Sequence, residues 1–404
     1  MKHVAIVGGG IIGRCIARVA SESHRVTLID AEPADHRGCS WGNSGYLVPS
    51  HFSPLASPGM LLAGLRMLPH RDSPFGIHQP MRGEMLSWLL RFARHCTKRH
   101  VAATHQLILD LNLRSQRLYR EWAQGWPDAK ISEAGLLLGC ERWDTLDHET
   151  ESVKVAKNLG LEAEVLSDHE TQERFGQRVS SVGGVFFKCD SHLNPGDVLA
   201  ALDADLAARG VTRLQSRVTR LDEIDADQIV IAAGAESSAL TRSFGLKMPL
   251  IGGKGYSLIV PVEEPPTTPL IMVEGRTAIT PMAGAVRIAG TMELGAEAAG
   301  INPARWEGVL STARRTLPDL APQIIAFAES DAGKERVWSG LRPCSPDGLP
   351  YIGRVRTDPR VIIATGHAMM GMSLGPITGH LVGQLLRDET TDLSLIPLDP
   401  HRFS

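Results

Sequence analysis

The chain has 404 residues, a formal net charge of −3, 43% hydrophobic and 22% charged residues, and 40 glycines. That length exceeds one ordinary core and implies two domains, or one with a large insertion, while the composition excludes disorder. No run of like charges marks a nucleic-acid footprint or a polybasic membrane anchor, and six scattered cysteines without a C-x-x-C pair exclude a disulfide framework and a zinc site, which fits a reducing cytoplasm.

In chain order, His3 to Val7 reads as a short buried strand, followed by a glycine turn, a helix from Ile11 to Ser21 and a second strand from Arg25 to Ile29. Glycines 8, 9, 10 and 13 interrupt the apolar stretch Val4 to Ile16, so it is not read as a signal peptide. No later stretch has the roughly 18 uninterrupted apolar residues of a spanning helix, although peripheral contact with the inner face of a membrane stays compatible. Ser53 to Pro80 reads as loop. Amphipathic helices are expected at Glu84–Cys96 and Ala103–Trp122, a strand at Gly135–Cys140, a helix at Glu149–Asn158 and a strand at Gly183–Phe187. Asn194-Pro195-Gly196-Asp197 starts a helix running to Ala208, and Ile229-Val230-Ile231 forms a buried strand ending at Ala233-Gly234. Gly255–Val260 and Val286–Ala289 are β-rich, Val361–Thr365 is a strand, and a helix spans Ser373–Arg387. The expected architecture is α/β and α+β, a discontinuous Rossmann-like domain (1–52, 192–244 and 335–404) joined to a mixed sheet with helices (53–191 and 245–334).

Gly8-Gly9-Gly10-Ile11-Ile12-Gly13 is a G-x-G-x-x-G between a strand and a helix, with Asp30 at the end of the next strand. Gly8 permits the tight turn, Gly10 lets backbone approach a pyrophosphate and Gly13 allows close helix packing. Asp30 suits ribose hydroxyls, and its charge disfavours a 2′-phosphate. FAD and NAD share this fingerprint.

Five ordered elements carry a resemblance. They are Cys39-Ser40-Trp41-Gly42-Asn43-Ser44-Gly45, Ile231-Ala232-Ala233-Gly234-Ala235-Glu236-Ser237, Lys254-Gly255-Tyr256-Ser257, Gly290-Thr291-Met292-Glu293-Leu294, and Gly340-Leu341-Arg342-Pro343 through Gly348 followed by Gly366-His367 and Gly371. Over nearly its full length the chain resembles the glycine oxidase and D-amino-acid dehydrogenase (DAO) family of FAD enzymes. The resemblance implies non-covalent FAD, because Gly340 stands where sarcosine-oxidase-like relatives carry a tethering cysteine and Cys344 is out of register. It implies cofactor contacts at Ala31, Ser40, Asn43, Ser44, Gly45, Leu47, Val218, Ala233, Gly234, Gly340, Arg342, Gly366, His367 and Ser373, besides the fingerprint residues Gly8, Gly10, Ile11, Ile12, Gly13 and Asp30. Backbone amides of Met370, Gly371 and Met372 would face the edge of the flavin that gathers negative charge.

The implied substrate is a small D-amino acid or a cyclic D-imino acid such as hydroxyproline, with hydride leaving Cα and electrons passing to a quinone or another carrier. Arg342 would hold the substrate carboxylate with its guanidinium fork, although an arginine tying down a Pro-rich turn has the same residue type. Tyr256 would add a hydroxyl, or be a core tyrosine. His51 and His367 would border the flavin as proton relays or as structural histidines. Met369 replaces an arginine of glycine-oxidase-like members, and with Met370, Met372 and Met272 would form an apolar wall or simply core. A peroxide-forming oxidase, a NAD enzyme and a partner-dependent subunit of a hetero-oligomer are the competing readings.

Overall fold

The computed structural model describes residues 1–404, the side chain of Ser243 excepted, and contains three sheets among them. The first has six strands in the order Thr212–Gln215, Arg25–Asp30, His3–Val7, Gln228–Ile231, Val361–Thr365, Tyr351–Arg354. Its neighbours run parallel except for the last pair. The central strands His-Val-Ala-Ile-Val and Gln-Ile-Val-Ile are nearly all buried, as parallel strands covered on both faces must be. Helices Ile11–Ala20, Pro195–Ala208 and Gly371–Leu386 share one apolar core with the inner strands, and Lys98–Ala123 packs against the last of them. Val7, Ile229, Ile231, Val361 and Ile363 face the opposite cluster with Leu240, Leu246 and Met248.

The larger sheet runs Trp338–Cys344, Ile251–Pro261, Ala285–Leu294, Thr277–Met282, Leu270–Met272, Leu136–Cys140, Gly183–Phe187, Ala163–Ser167, with Phe75–Ile77 beside Ala285–Leu294. Helices Pro303–Thr316 and Ala321–Glu329 cover one of its faces. A small sheet of Tyr46–Leu47, Ser191–Leu193 and Ile131–Ser132 completes the set. Trp338–Cys344 thus lies in the larger sheet although it falls within 335–404, and Lys98–Ala123 sits on the Rossmann-like half although it falls within 53–191.

Several elements differ from expectation for local reasons. The stretch read as loop, 53–80, contains a helix, Met60–Met67, which buries none of its residues and so shows no inward stripe. Helix Trp143–Asn158 begins before Glu149; of its first six residues only Leu146 is buried, so those turns show no inward stripe. Thr97 accepts the His100 amide at 3.1 Å and starts the long helix at Lys98 rather than Ala103. Pro303–Thr316 and Ala321–Glu329, each with Pro in its first turn, were not expected at all.

Two features seat the C-terminal helix. Glycines at 371, 375, 379 and 383 recur every fourth residue; a Cβ at Gly379 would lie 2.6 Å from the Cys15 carbonyl oxygen, and one at Gly383 2.5 Å from Val19 Cγ1. The bare stripe therefore lets this helix lie directly on Ile11–Ala20. Pro376 lacks the N–H that would serve the Met372 carbonyl. The buried Tyr119 hydroxyl donates to that carbonyl instead, at 2.8 Å.

Candidate active site

The first strand delivers the chain to Gly8, whose φ of +114° suits glycine and whose Cβ would fall 2.3 Å from the Ala232 carbonyl oxygen. A Cβ on Gly13 would fall 1.8 Å from the Gly8 carbonyl oxygen, so backbone occupies both places. Gly10 differs: a Cβ there would meet only Ser40 Oγ, at 3.3 Å. The space beyond the helix start is thus open, as a diphosphate requires. Asp30 accepts from the Gly9 amide through one carboxylate oxygen and from the Glu32 amide through the other at 2.9 Å, and each oxygen keeps a lone pair for a hydroxyl. Ile11 N–H donates to Ser40 Oγ at 2.9 Å, which fastens the second loop to the first. Ala31 is half-buried, and Ile12 is buried against the helix core.

The start of the C-terminal helix lies alongside, with a Cβ on Gly371 placed 3.9 Å from Ile11 Cγ2. Because the later glycines follow the first helix downward, the two helices run parallel and bring their positive ends together. Met370 N–H already donates to the His367 carbonyl at 2.8 Å, so Gly371 and Met372 remain as the candidate amides for the flavin edge.

Strand alternation sorts the substrate half. Gly253 pairs with Arg342, Gly255 with Gly340 and Ser257 with Trp338, which places Arg342 on the face of the small residues Gly253, Gly255 and Ser257. A Cβ on Gly255 would fall 2.1 Å from an Arg342 guanidinium nitrogen, so the glycine makes room for the fork. Arg342 Nη1 donates to the Thr291 carbonyl at 2.7 Å, and no carboxylate among the described residues pairs with the guanidinium. Burial lowers its pKa.

Tyr256 lies on the opposite face with Lys254 and Leu258, in the core under the helices. Its hydroxyl donates to Glu293 Oε1 at 2.5 Å and accepts from Asn302 N–H at 3.3 Å. Burial alone would raise the Glu293 pKa, yet hydrogen bonds from Tyr256, His78 and Asn302 bring it below the usual value. The expected contact between Tyr256 and a substrate carboxylate therefore has no support in its placement. Met272 is likewise in the helix-backed core, and Met372 is buried between helices, which leaves Met370 half-buried and Met369 exposed near the loop.

Residues 37–45 form a strap between the halves. Trp338 Nε1 donates to the Arg37 carbonyl at 2.6 Å, Thr280 Oγ1 to the Ser44 carbonyl at 2.8 Å, and Asn43 Nδ2 to the Met369 carbonyl at 3.2 Å. Gly45, at φ +81°, lies against the Leu193 carbonyl. Arg287, paired with Ile259 and so on the same face as Ser257 and Arg342, donates through Nη1 to the Trp41 and Asn43 carbonyls at 2.5 Å each. Its Nε and Nη2 are buried without an acceptor, and Thr291 Oγ1, four residues on in the same strand, is equally unpartnered. Burial brings the guanidinium down to about 10, against the opposing pull of Asp197. Sequence reasoning missed Arg287, although an arginine within Val286-Arg287-Ile288-Ala289 breaks an otherwise apolar strand.

The remaining expected residues divide. Gly340 adjoins the Trp338 ring, Gly366 adopts φ +81° against Tyr351, and Gly234 is open at φ +56°. Ala233 and Val218 pack against the cluster on the far face of the parallel sheet, and Leu47 is buried in the main core. Ser373 Oγ donates to Asn112 Oδ1 at 2.6 Å and accepts from Val48 N–H at 3.2 Å, so its hydroxyl is committed within the protein. Thr378 Oγ1 donates to the Leu374 carbonyl, hence it accepts the Nε2 proton of His367 at 2.9 Å and leaves His367 Nδ1 as a buried acceptor without a partner. Burial lowers the His367 pKa to about 3. Its ring therefore stays neutral near pH 7, which argues against an acid role but permits an accepting one.

Ser50 donates to the buried Asp190 through Oγ at 2.5 Å and N–H at 3.0 Å, while Ser50 Oγ stands 3.1 Å from His51 Nδ1. When Asp190 is ionised the Ser50 oxygen can only accept from His51, so the proton sits on Nδ1 and Nε2 is left to accept. Burial raises Asp190 from 3.8 to about 7 and lowers His51 to about 4. The folded state thus binds the Asp190 proton more tightly than the unfolded chain, and the associated stability is present below about pH 4 and lost as pH rises through 7. A shift of that size corresponds to on the order of 4 kcal/mol. Thermal unfolding of Asp190→Asn from pH 5 to 8 should lack most of the decline seen in the parent protein; equal slopes would contradict the assignment.

The Rossmann-like half, with its open glycine cradle, and the glycine-floored sheet facing it define a flavin-dependent oxidoreductase. The family model described as FAD dependent oxidoreductase (DAO) matches residues 3–385, and the chain belongs to that family. A D-amino-acid oxidase from Bradyrhizobium diazoefficiens is 30% identical over 433 residues, covering 100% of this chain and 99% of the relative. A D-amino acid dehydrogenase from Helicobacter pylori is 26% identical over 408 residues, covering 96% and 95%. Glycine oxidase from Geobacillus kaustophilus superimposes with a TM-score of 0.78 at 22% identity, covering 100% of both chains, and shows the same fold. FAD is accordingly the cofactor, and the residues around Gly8, Gly10 and Asp30 fit its ADP half.

Proposed function

We propose that the protein oxidises the C–N bond of a small D-amino acid or cyclic D-imino acid and passes the electrons to a quinone or another carrier rather than to oxygen. The observation that carries this reading is Arg342: a half-buried guanidinium on the glycine-lined face, anchored by one backbone carbonyl and lacking any carboxylate of its own among the described residues. Its fork is suited to a carboxylate of the substrate. Bound FAD supplies the hydride acceptor. The chain holds the substrate carboxylate at Arg342, presents Gly371 and Met372 amides at a helix start, and offers neutral acceptors at His51 Nε2 and His367 Nδ1 for an amine proton. Relatives named as an oxidase and as a dehydrogenase both support amino-acid oxidation. Steady-state turnover of D-amino acids with a dye acceptor, with peroxide measured alongside, tests the acceptor: little peroxide per turnover is expected, and a yield near one per turnover would overturn the dehydrogenase reading.

Arg287 belongs to the same reading, as a donor to the cofactor through its two unpartnered nitrogens, Nε and Nη2. In the apoprotein these donors cost free energy, because buried unsatisfied groups forfeit about 1–3 kcal/mol each. Arg287→Met should therefore leave apoprotein melting unchanged or raised while weakening FAD binding by about tenfold or more. A lower melting temperature with unchanged FAD affinity would reduce Arg287 to a post for the strap.

A further inference from the structure

Among the described residues, the arginines that are not exposed and have no carboxylate partner are Arg91, Arg276, Arg287 and Arg342. Arg91 lies over the Phe403 ring and donates to the Phe403 carbonyl at 3.4 Å. Arg287 fastens the strap, and Arg342 awaits the substrate carboxylate. Arg276 is left without a task.

Arg276 ends the turn between strands Leu270–Met272 and Thr277–Met282. Ala278 pairs with Ala289 and Thr280 with Arg287, so Ala278 and Thr280 share the face of Arg287 and Arg342. The same register carried back one step of two places Arg276 opposite Thr291, and a Cβ on Gly290 would lie 3.4 Å from the Arg276 carbonyl oxygen. Arg276 Nη2 donates to Met60 Sδ at 3.6 Å. Met60 packs in one cluster with Met292 and Cys344, and a Cβ on Gly253 would fall 2.2 Å from Met292 Sδ and 2.9 Å from Cys344 Sγ. That cluster therefore lies on the face of Gly253 and Arg342, and strand alternation and the Met60 contact agree in turning Arg276 toward it.

The Thr291 carbonyl accepts from Arg342 Nη1, so the two arginines flank one residue. Arg276 and Thr291 hold φ of +45° and +71°, which non-glycine residues seldom adopt. The strand of Arg276 stands two places from that of Gly255, over which the Arg342 fork lies, hence about 10 Å away at the usual strand spacing. An arginine side chain spans most of that gap.

A thioether is a weak acceptor for a guanidinium. Glu274, two residues away, is committed to the Glu141 and Arg142 amides at 3.1 Å. Burial lowers the Arg276 pKa, as it does that of Arg342. Partly desolvated, unpaired cations are costly, and a ligand with one carboxylate relieves only Arg342. A ligand with two relieves both.

We propose that Arg276 binds a second, side-chain carboxylate, so that the preferred substrates are dicarboxylic D-amino acids of the size of D-aspartate and D-glutamate. This rests on the reading of the protein as an oxidant of D-amino acids held at Arg342.

The test uses the full-length FAD-loaded protein. Anaerobic flavin reduction compares D-aspartate with D-asparagine and D-glutamate with D-glutamine, pairs of similar shape that differ in the second charge. At least one acid should exceed its amide about tenfold or more in reduction rate over dissociation constant, and Arg276→Gln should erase that difference while leaving the amide within about twofold. Arg276→Lys should keep part of the difference, because the charge stays while the fork is lost. Unchanged FAD content checks that both variants fold. Flavin absorbance titrations with the redox-inert succinate and glutarate, against butanoate and pentanoate, make the same comparison without turnover. Equal behaviour of acids and amides, or an Arg276→Gln effect that is the same on both, would overturn the Arg276 assignment while leaving D-amino-acid oxidation standing. Diacids that bind through Arg276 while no D-amino acid reduces the flavin would instead overturn the oxidation reading, and the substrate assignment with it.

Discussion

Arg342→Ala should raise the substrate's apparent binding constant by about 30-fold to a few thousand-fold, equivalent to about 2–5 kcal/mol, while FAD content is unchanged. The guanidinium is half-buried on the site face and held by the Thr291 carbonyl, so its removal deprives a partly desolvated carboxylate of its partner rather than a surface ion of a screened neighbour. Arg342→Lys should recover only part of the loss, because a point charge cannot make the two parallel bonds of the fork. Substrate titrations followed by flavin absorbance measure both variants. Unchanged affinity in Arg342→Ala would place the carboxylate elsewhere, with Arg287 as the next cation on that face.

The second large effect concerns the cofactor. Gly10→Val should yield a folded but flavin-free protein, since Gly10 has an ordinary negative φ of −71° and a Cβ there meets only Ser40 Oγ at 3.3 Å. The added side chain disturbs little of the apoprotein, yet it fills the space a diphosphate must enter. Gly13 is a different case. Its Cβ would fall 1.8 Å from the Gly8 carbonyl oxygen, so substitution there should damage folding itself. Circular dichroism and the flavin-to-protein absorbance ratio separate the two; full flavin retention in Gly10→Val would contradict the proposed route of the diphosphate.

The nucleotide cradle was legible because its demands are local. A strand, a glycine turn and a helix start within thirteen residues leave few arrangements, and Asp30 follows at the spacing that a βαβ unit sets. The placement of Tyr256, left open between a substrate contact and a core position, was not legible for the opposite reason. The alternation in Lys254-Gly255-Tyr256-Ser257 separates Tyr256 from Gly255, but which face meets the cofactor depends on pairing with Trp338–Cys344, more than 80 residues away. Met272 and Met372, read as an apolar wall or simply core, lie in core clusters, and residue type alone does not reveal which face they take. The bond from Ser50 to Asp190 joins loops far apart in sequence and had no local signal.

Other features were readable and overlooked. Gly371, Gly375, Gly379 and Gly383 form a four-residue period that announces a close helix contact. Counting charges over 57–100, rather than searching for runs of like charge, reveals a locally basic segment in a chain of net negative charge.

Anaerobic mixing of the purified, FAD-loaded protein with a panel of D-, L- and N-methyl amino acids tests the central claim most directly. Rapid loss of the oxidised-flavin absorbance with at least one D-amino or cyclic D-imino acid, and not with its L-enantiomer, is the expected result. Oxidised flavin that persists across the whole panel, or that is reduced only by L-enantiomers, would contradict it.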